Sequence, residues 1–148
     1  MRDSRNFDRP ITRGALVFYP PQPPDLGDEQ FGVAPHTDYG CLTLRYQDPI
    51  DGLQVQGRNG EWVIAQPIED TLVINVGSLM ARWTNNQFKS APHWLINRSD
   101  RARLSIAVFV DPDHQTPVVP VCREGGPPLF APVTDGDYIV SRFDASFA

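Results

Sequence analysis

Cysteine is scarce, with only Cys41 and Cys122 in 148 residues. The two share no metal-ligand spacing and are too few to staple a small secreted fold, which favours a reducing, cytoplasmic setting. Lysine is scarcer: Lys89 stands alone among thirteen basic residues, and the other twelve are arginines. Against eighteen acidic residues they leave a net charge of −5, without the concentrated positive face that a phosphate backbone requires. No apolar run approaches the ~18 residues of a membrane span. The charged start Met1-Arg2-Asp3-Ser4-Arg5 is not followed by the hydrophobic stretch of a signal peptide. The expectation is a cytoplasmic protein that binds neither nucleic acid nor membrane; its oligomeric state leaves no trace in the sequence.

What is present suffices for one core, since 41% of the residues are hydrophobic and the length suits a single ordinary domain. The fifteen prolines gather mainly at Pro20 to Pro24 and between Pro112 and Pro132, leaving Val/Ile/Leu/Phe-rich stretches intact. Residues 1–13 read as a lead-in segment or helix remnant. Short strands are then expected at Ala15 to Tyr19, Cys41 to Tyr46, Gly52 to Gln56, Glu61 to Ala65, Leu72 to Val76, Leu79 to Thr84, Pro92 to Asn97 and Leu104 to Val110. Arg58-Asn59-Gly60 supplies a hairpin turn between two of them. Arg123 to Pro132 reads as loop, and Tyr138 to Val140 as a last strand or a terminal helical turn. This pattern predicts an all-β antiparallel sandwich or jelly roll.

Of three histidines, His114 lies in the polar loop after Pro112 and reads as surface. His36-Thr37-Asp38 places an imidazole and a carboxylate two residues apart, on one face of an extended segment. His93, on a predicted strand some 55 residues later, is far enough along the chain for the sheet to fold back and present a third ligand. Two histidines and a carboxylate on one face of a metal leave its other face open, the arrangement of non-haem Fe(II) sites that work with O₂. Ten residues beyond His93, Arg103 and Ser105 alternate out of an otherwise apolar strand. A guanidinium fork with a neighbouring hydroxyl suits a carboxylate; the residues alone also allow an edge-strand arginine paired with Asp100 or Glu61. Arg82, Trp83, Phe88 and Trp94 are candidates either for a substrate pocket or for the core.

The run His36-Thr37-Asp38-Tyr39-Gly40-Cys41-Leu42-Thr43-Leu44, with Gly52-Leu53-Gln54-Val55, Gly60-Glu61-Trp62, Asn75-Val76-Gly77, Thr84-Asn85-Asn86, Lys89-Ser90, His93 and Arg103-Leu104-Ser105, resembles the catalytic domain of the Fe(II)/2-oxoglutarate-dependent dioxygenases related to isopenicillin N synthase. The resemblance extends from about Gly14 through Tyr19-Pro20-Pro21 to Arg142-Phe143. It implies a double-stranded β-helix, a cupin-like jelly roll over residues 14–148. His36, Asp38 and His93 would bind Fe(II); Arg103, Ser105 and the Tyr19 phenol would grip the distal carboxylate of 2-oxoglutarate. Such enzymes use O₂ and the decarboxylation of 2-oxoglutarate to succinate to hydroxylate, desaturate or cyclise a small molecule. An iron oxidase of the same fold that does not use 2-oxoglutarate, and a catalytically silent or truncated jelly-roll domain, are the alternatives.

The chain departs from the family pattern at three positions. Val17 stands where asparagine is common, Ser78 where aspartate often follows the glycine, and Trp94 where arginine often follows the distal histidine. Family members usually carry an N-terminal region about as long as this chain; the expectation is that it is absent here, which would leave an apolar sheet face uncovered.

Overall fold

The computed structural model describes residues 4–22, 32–123 and 126–147. Residues 1–3 of the expected lead-in, Pro23 and Pro24 of the proline-rich loop and residues 124–125 of the late loop lie outside them. A 3₁₀ turn, Ser4–Phe7, precedes ten strands and two helices.

The strands are β1 (Ile11–Tyr19), β2 (Val33–His36), β3 (Leu42–Gln47), β4 (Leu53–Gln56), β5 (Trp62–Ile64), β6 (Val73–Val76), β7 (His93–Leu95), β8 (Arg103–Asp111), β9 (Pro117–Val118) and β10 (Val133–Thr134). One four-stranded sheet has the order β1-β8-β3-β6 and a second the order β2-β7-β4-β5. β9 and β10 pair separately, and every pairing is antiparallel. Tyr19, Leu53 and Leu95 bury a core to which β1, β4 and β7 all contribute, with Val17, Val33, Val55 and Val73 against it. Two antiparallel sheets closing on a shared interior make the jelly roll that the sequence predicts.

Alternation along the strands decides what enters that interior. In β8, Arg103, Ser105 and Ala107 are buried while Leu104 and Ile106 are exposed. In β3, Thr43 and Arg45 are buried and Tyr46 is exposed. The outer face of this sheet carries Leu16, Phe18, Leu104, Ile106 and Ile74 in the open, each more than 40% accessible. The inner face mixes Thr43, Arg45, Arg103 and Ser105 with Val17, Tyr19, Val73 and Ala107, a departure from the usual one-sided sheet.

Several elements differ from expectation. Leu79 to Thr84 is not a strand: Ser78–Trp83 form α1, entered from Gly77. Six residues are too few for a period to separate strand from helix, and Leu, Met, Ala and Arg all favour helix. Asn85 and Asn86, with φ of 49° and 62°, end it in left-handed conformations that asparagine tolerates. Tyr138 to Val140 belong to a 13-residue helix, α2 (Asp135–Phe147). A reciprocal cap starts it: the Asp137 amide donates to Thr134 Oγ1 and that hydroxyl donates to Asp137 Oδ2. The short strands β2, β9 and β10 were not predicted. The Arg58-Asn59-Gly60 hairpin is present, with Gly60 at φ 86° and β4 paired with β5. Pairing of β1 begins at Ile11, inside the segment read as lead-in.

Candidate metal and carboxylate site

His36 and His93 are cross-strand partners, the last residue of β2 facing the first of β7. A register shift lies between Val33 and His36, where Pro35 removes a ladder donor at the sheet edge and lets the strand buckle. The imidazole centroids are 4.3 Å apart. His36 Nδ1 is 2.8 Å from the Ala34 carbonyl oxygen and His93 Nδ1 is 3.3 Å from that of Ala91. An N–H at each Nδ1 donating to its carbonyl leaves both Nε2 atoms as lone-pair donors pointing at the same place.

Asp38 completes the group from the connection between β2 and β3, tied to the other sheet. Thr43 Oγ1 and Asn75 Nδ2 each donate to its Oδ2 at 2.7 Å, and Thr43 and Asn75 are themselves register partners on β3 and β6. The second oxygen, Oδ1, is thereby aimed at the histidines, 3.9 Å from His36 Nε2 and 3.7 Å from His93 Nε2. These distances exceed hydrogen bonds and suit donors that each stand about 2.1 Å from one ion. All three ligand atoms lie within 4.8 Å of one another. His93 Nε2 is sealed from solvent with no hydrogen-bond partner, a cost that coordination would remove.

The electrostatics agree. Burial raises the Asp38 pKa, but the Thr43 and Asn75 hydrogen bonds and the charges of His93 and Arg45 outweigh it and hold the carboxyl below its ordinary value. Burial pushes His93 below the usual imidazole range, only partly opposed by Asp38. Asp38 and His93 are therefore a carboxylate beside a neutral imidazole, the protonation states that bind a divalent cation.

At the start of β8, Arg103 is completely buried. Its Nε donates to the Ile50 carbonyl at 3.0 Å and its Nη2 to Gln47 Oε1 at 2.6 Å, with Asp48 and Asp51 as nearby charges. Neither Asp100 nor Glu61 pairs with it, and β8 is an inner strand, so the edge-strand alternative is set aside. Nη1 is buried with no partner, and so is Ser105 Oγ two residues on. Tyr19, opposite Arg103 in the β1–β8 register, is buried, and the guanidinium carbon lies 5.2 Å from its ring centroid. Asn97 holds the end of β1 there, donating to the carbonyls of Tyr19 and Pro20 and of Arg101. Two unpaired donors on one strand face suit a carboxylate.

A cavity of about 410 Å³ borders the histidine–aspartate group, its lining including Thr37, Tyr39, Phe109, Asp111, Phe143 and Arg13. The Arg13 guanidinium stands 4.9 Å from the Phe109 centroid and 5.6 Å from that of Phe143. Of the four residues singled out for a substrate pocket none lines this cavity. Arg82 faces a second, polar one of about 320 Å³, Trp83 packs beside Leu79, Phe88 is exposed and Trp94 stacks edge-on to Trp62. His114 is exposed, as expected. At the departures, Val17 packs in the core, and Ser78 Oγ donates to Thr37 Oγ1 at 3.1 Å.

Sequence reasoning missed Thr43, Asn75, Gln47 and Arg45. The alternation of Cys41 to Tyr46 already put Thr43 and Arg45 on one face, and an arginine there was the available signal.

The profile of the 2OG-Fe(II) oxygenase superfamily matches residues 12–112. The 2-oxoglutarate-Fe(II) type oxidoreductase hxnY of Emericella nidulans is 39% identical over 96% of this chain and 44% of its own length. Homoarginine-6-hydroxylase 2-ODD-233 of Oryza sativa subsp. japonica is 37% identical over 89% of the chain and 42% of its own. A full-length Neurospora crassa protein crystallised with alpha-KG and thymine superposes with a TM-score of 0.90 at 31% identity, over 96% of this chain and 46% of that one. The chain thus spans less than half the length of these relatives. Fe(II) and 2-oxoglutarate, the cofactors expected from the sequence, are those the family is named for, and with this match over most of its length the chain belongs to the 2OG-Fe(II) oxygenase superfamily.

Proposed function

We propose that this protein is an oxidoreductase in which His36, Asp38 and His93 hold Fe(II), while Arg103 and Ser105, backed by Tyr19, hold the distal carboxylate of 2-oxoglutarate. Iron held there would couple O₂ and 2-oxoglutarate to succinate and CO₂, with the second oxygen atom either inserted into the substrate or released as water together with two hydrogens taken from it. The observation that carries this reading is the coincidence of two sets of buried, unpartnered donor atoms, His93 Nε2 in one and Arg103 Nη1 with Ser105 Oγ in the other.

The chain's own residues contribute positioning and exclusion. The Nδ1–carbonyl contacts orient the imidazoles, Thr43 and Asn75 fix which Asp38 oxygen faces the metal, and Gln47 and Ile50 lock two arms of Arg103 so that the third is free for the ligand. The cavity walled by Tyr39, Phe109 and Phe143 takes the small-molecule substrate, with Arg13 and Asp111 as its polar groups. A planar polar ring fits this lining; the Neurospora relative is crystallised with thymine, a ring of that kind. The catalytic jelly roll takes in residues 14–148 together with Ile11, Thr12 and Arg13 at the start of β1, and the residues before Ile11 lead into it. No helix among the described residues is long and apolar enough to cross a membrane, and both cysteines are free thiols; we place the protein in the cytoplasm.

Anaerobic titration with Fe(II) and then 2-oxoglutarate tests the reading through the visible charge-transfer absorption of the keto acid on iron. A saturable band, lost in His93→Ala and in Arg103→Ala, is expected. Iron binding with no band would overturn the 2-oxoglutarate assignment in favour of an iron oxidase, and no iron binding would overturn both.

A further inference from the structure

One buried cation acts on the site through its charge alone. Arg45 is 8% exposed, yet no hydrogen bond or ion pair joins its guanidinium to another described residue. A guanidinium on an inward position with no protein partner is available to an anionic ligand. Its nitrogens are not sealed off as Arg103 Nη1 is, so they remain open to one.

The position of Arg45 follows from strand geometry. On β3 the inward side chains are Thr43, Arg45 and Gln47, spaced about 7 Å apart along the strand. Thr43 holds the metal-ligating carboxylate, Asp38, and Gln47 holds the carboxylate anchor, Arg103. Arg45 is the middle one of the three. The charges place it there too: Arg45 acts on Asp38 and His93 at one end and on Arg103 at the other.

We propose that Arg45 is a second guanidinium for the cosubstrate, binding a dicarboxylate 2-oxo acid between its two fixed ends. The inference rests on the proposed 2-oxoglutarate site. It assigns that site two arginines, Arg103 locked by the protein and Arg45 held in place only once the dianion arrives. A cation near His93 and Asp38 also weakens the attraction for a bare metal ion, so Arg45 links the two ligands: the dianion neutralises the charge that opposes the metal.

The test is calorimetric titration of the Fe(II)-loaded protein with 2-oxoglutarate under anaerobic conditions, with Fe(II) affinity measured separately, for wild type, Arg45→Leu and Arg45→Lys. The expected result is a 2-oxoglutarate Kd at least tenfold weaker in Arg45→Leu and partly restored in Arg45→Lys, with Fe(II) affinity unchanged or tighter in Arg45→Leu. Wild-type-like 2-oxoglutarate binding in Arg45→Leu would overturn the inference. So would joint loss of metal and cosubstrate in both variants, which would make Arg45 a structural residue. Failure of the wild type to bind 2-oxoglutarate at all would instead remove the functional reading on which the inference rests.

Discussion

Ser105→Ala should raise stability while lowering affinity for 2-oxoglutarate. Ser105 Oγ is fully buried and makes no hydrogen bond; burying a hydroxyl unpaired costs about 1–3 kcal/mol. Alanine removes the oxygen and vacates almost no volume, so the ligand-free protein should gain about 1 kcal/mol, a rise in Tm of roughly 2–4 °C for a chain of this size. The same oxygen is one of only two donors left open at the start of β8, the other being Arg103 Nη1. A hydrogen bond to a charged acceptor contributes about 1.5–3 kcal/mol, so its loss should weaken 2-oxoglutarate about 10- to 150-fold at 1.4 kcal/mol per decade. Urea denaturation of the ligand-free protein and calorimetric titration of the metal-loaded form measure the two effects. A destabilised ligand-free variant, or a variant that binds 2-oxoglutarate like the wild type, would refute the argument that the hydroxyl is reserved for a ligand.

Three further outcomes are expected. Burial first, and the neighbouring Asp111 second, push the Asp135 carboxyl up to about 7; its contribution to stability is present below the ordinary carboxylate pKa and is lost as pH rises through about 7. Asp135→Asn should therefore flatten the fall in urea midpoint between pH 5 and pH 8, and a wild-type midpoint that rises over that window would contradict the sign. Asn75→Leu leaves Asp38 Oδ2 with Thr43 alone and should weaken Fe(II) binding about 10- to 100-fold, read by metal titration against a competing chelator, with equal affinity as the contrary result. A Cβ at Gly77 would meet the Gly40 carbonyl, which is backbone and cannot swing aside. Gly77→Ala should thus cost about 1–3 kcal/mol in urea denaturation and disturb the turn in which the Ser78 amide donates to the Asp38 carbonyl; unchanged stability would mean that the two turns can separate freely.

The parts of this molecule legible in the sequence are those where chemistry and periodicity coincide. Arg103 and Ser105 alternate out of an apolar strand, and both are buried on one face. His36, Asp38 and His93 were visible as residue types at workable spacing, and the structure brings them together. What stayed hidden depends on pairing across the sheets. Nothing local says that Thr43 and Asn75 face each other on adjacent strands, and only that register lets both donate to one carboxylate oxygen. The substrate-side aromatics were misplaced for the same reason, because Phe109 and Phe143 meet through Arg13 on a third element. Helix α1 was misread because a short apolar run carries no period, and only the glycine before it and the two asparagines after it mark its ends.

The placement of Asp38 has a mechanical side. Its carboxylate is moored to the β1-β8-β3-β6 sheet through Thr43 and Asn75, whereas His36 and His93 are rungs of the β2-β7-β4-β5 sheet. An ion shared by the three is a rivet through both layers, in a chain whose two cysteines are unbridged. Held by all three, an ion would tie the two layers together at one end of the interior, beside the cavity lined by Tyr39 and Phe143.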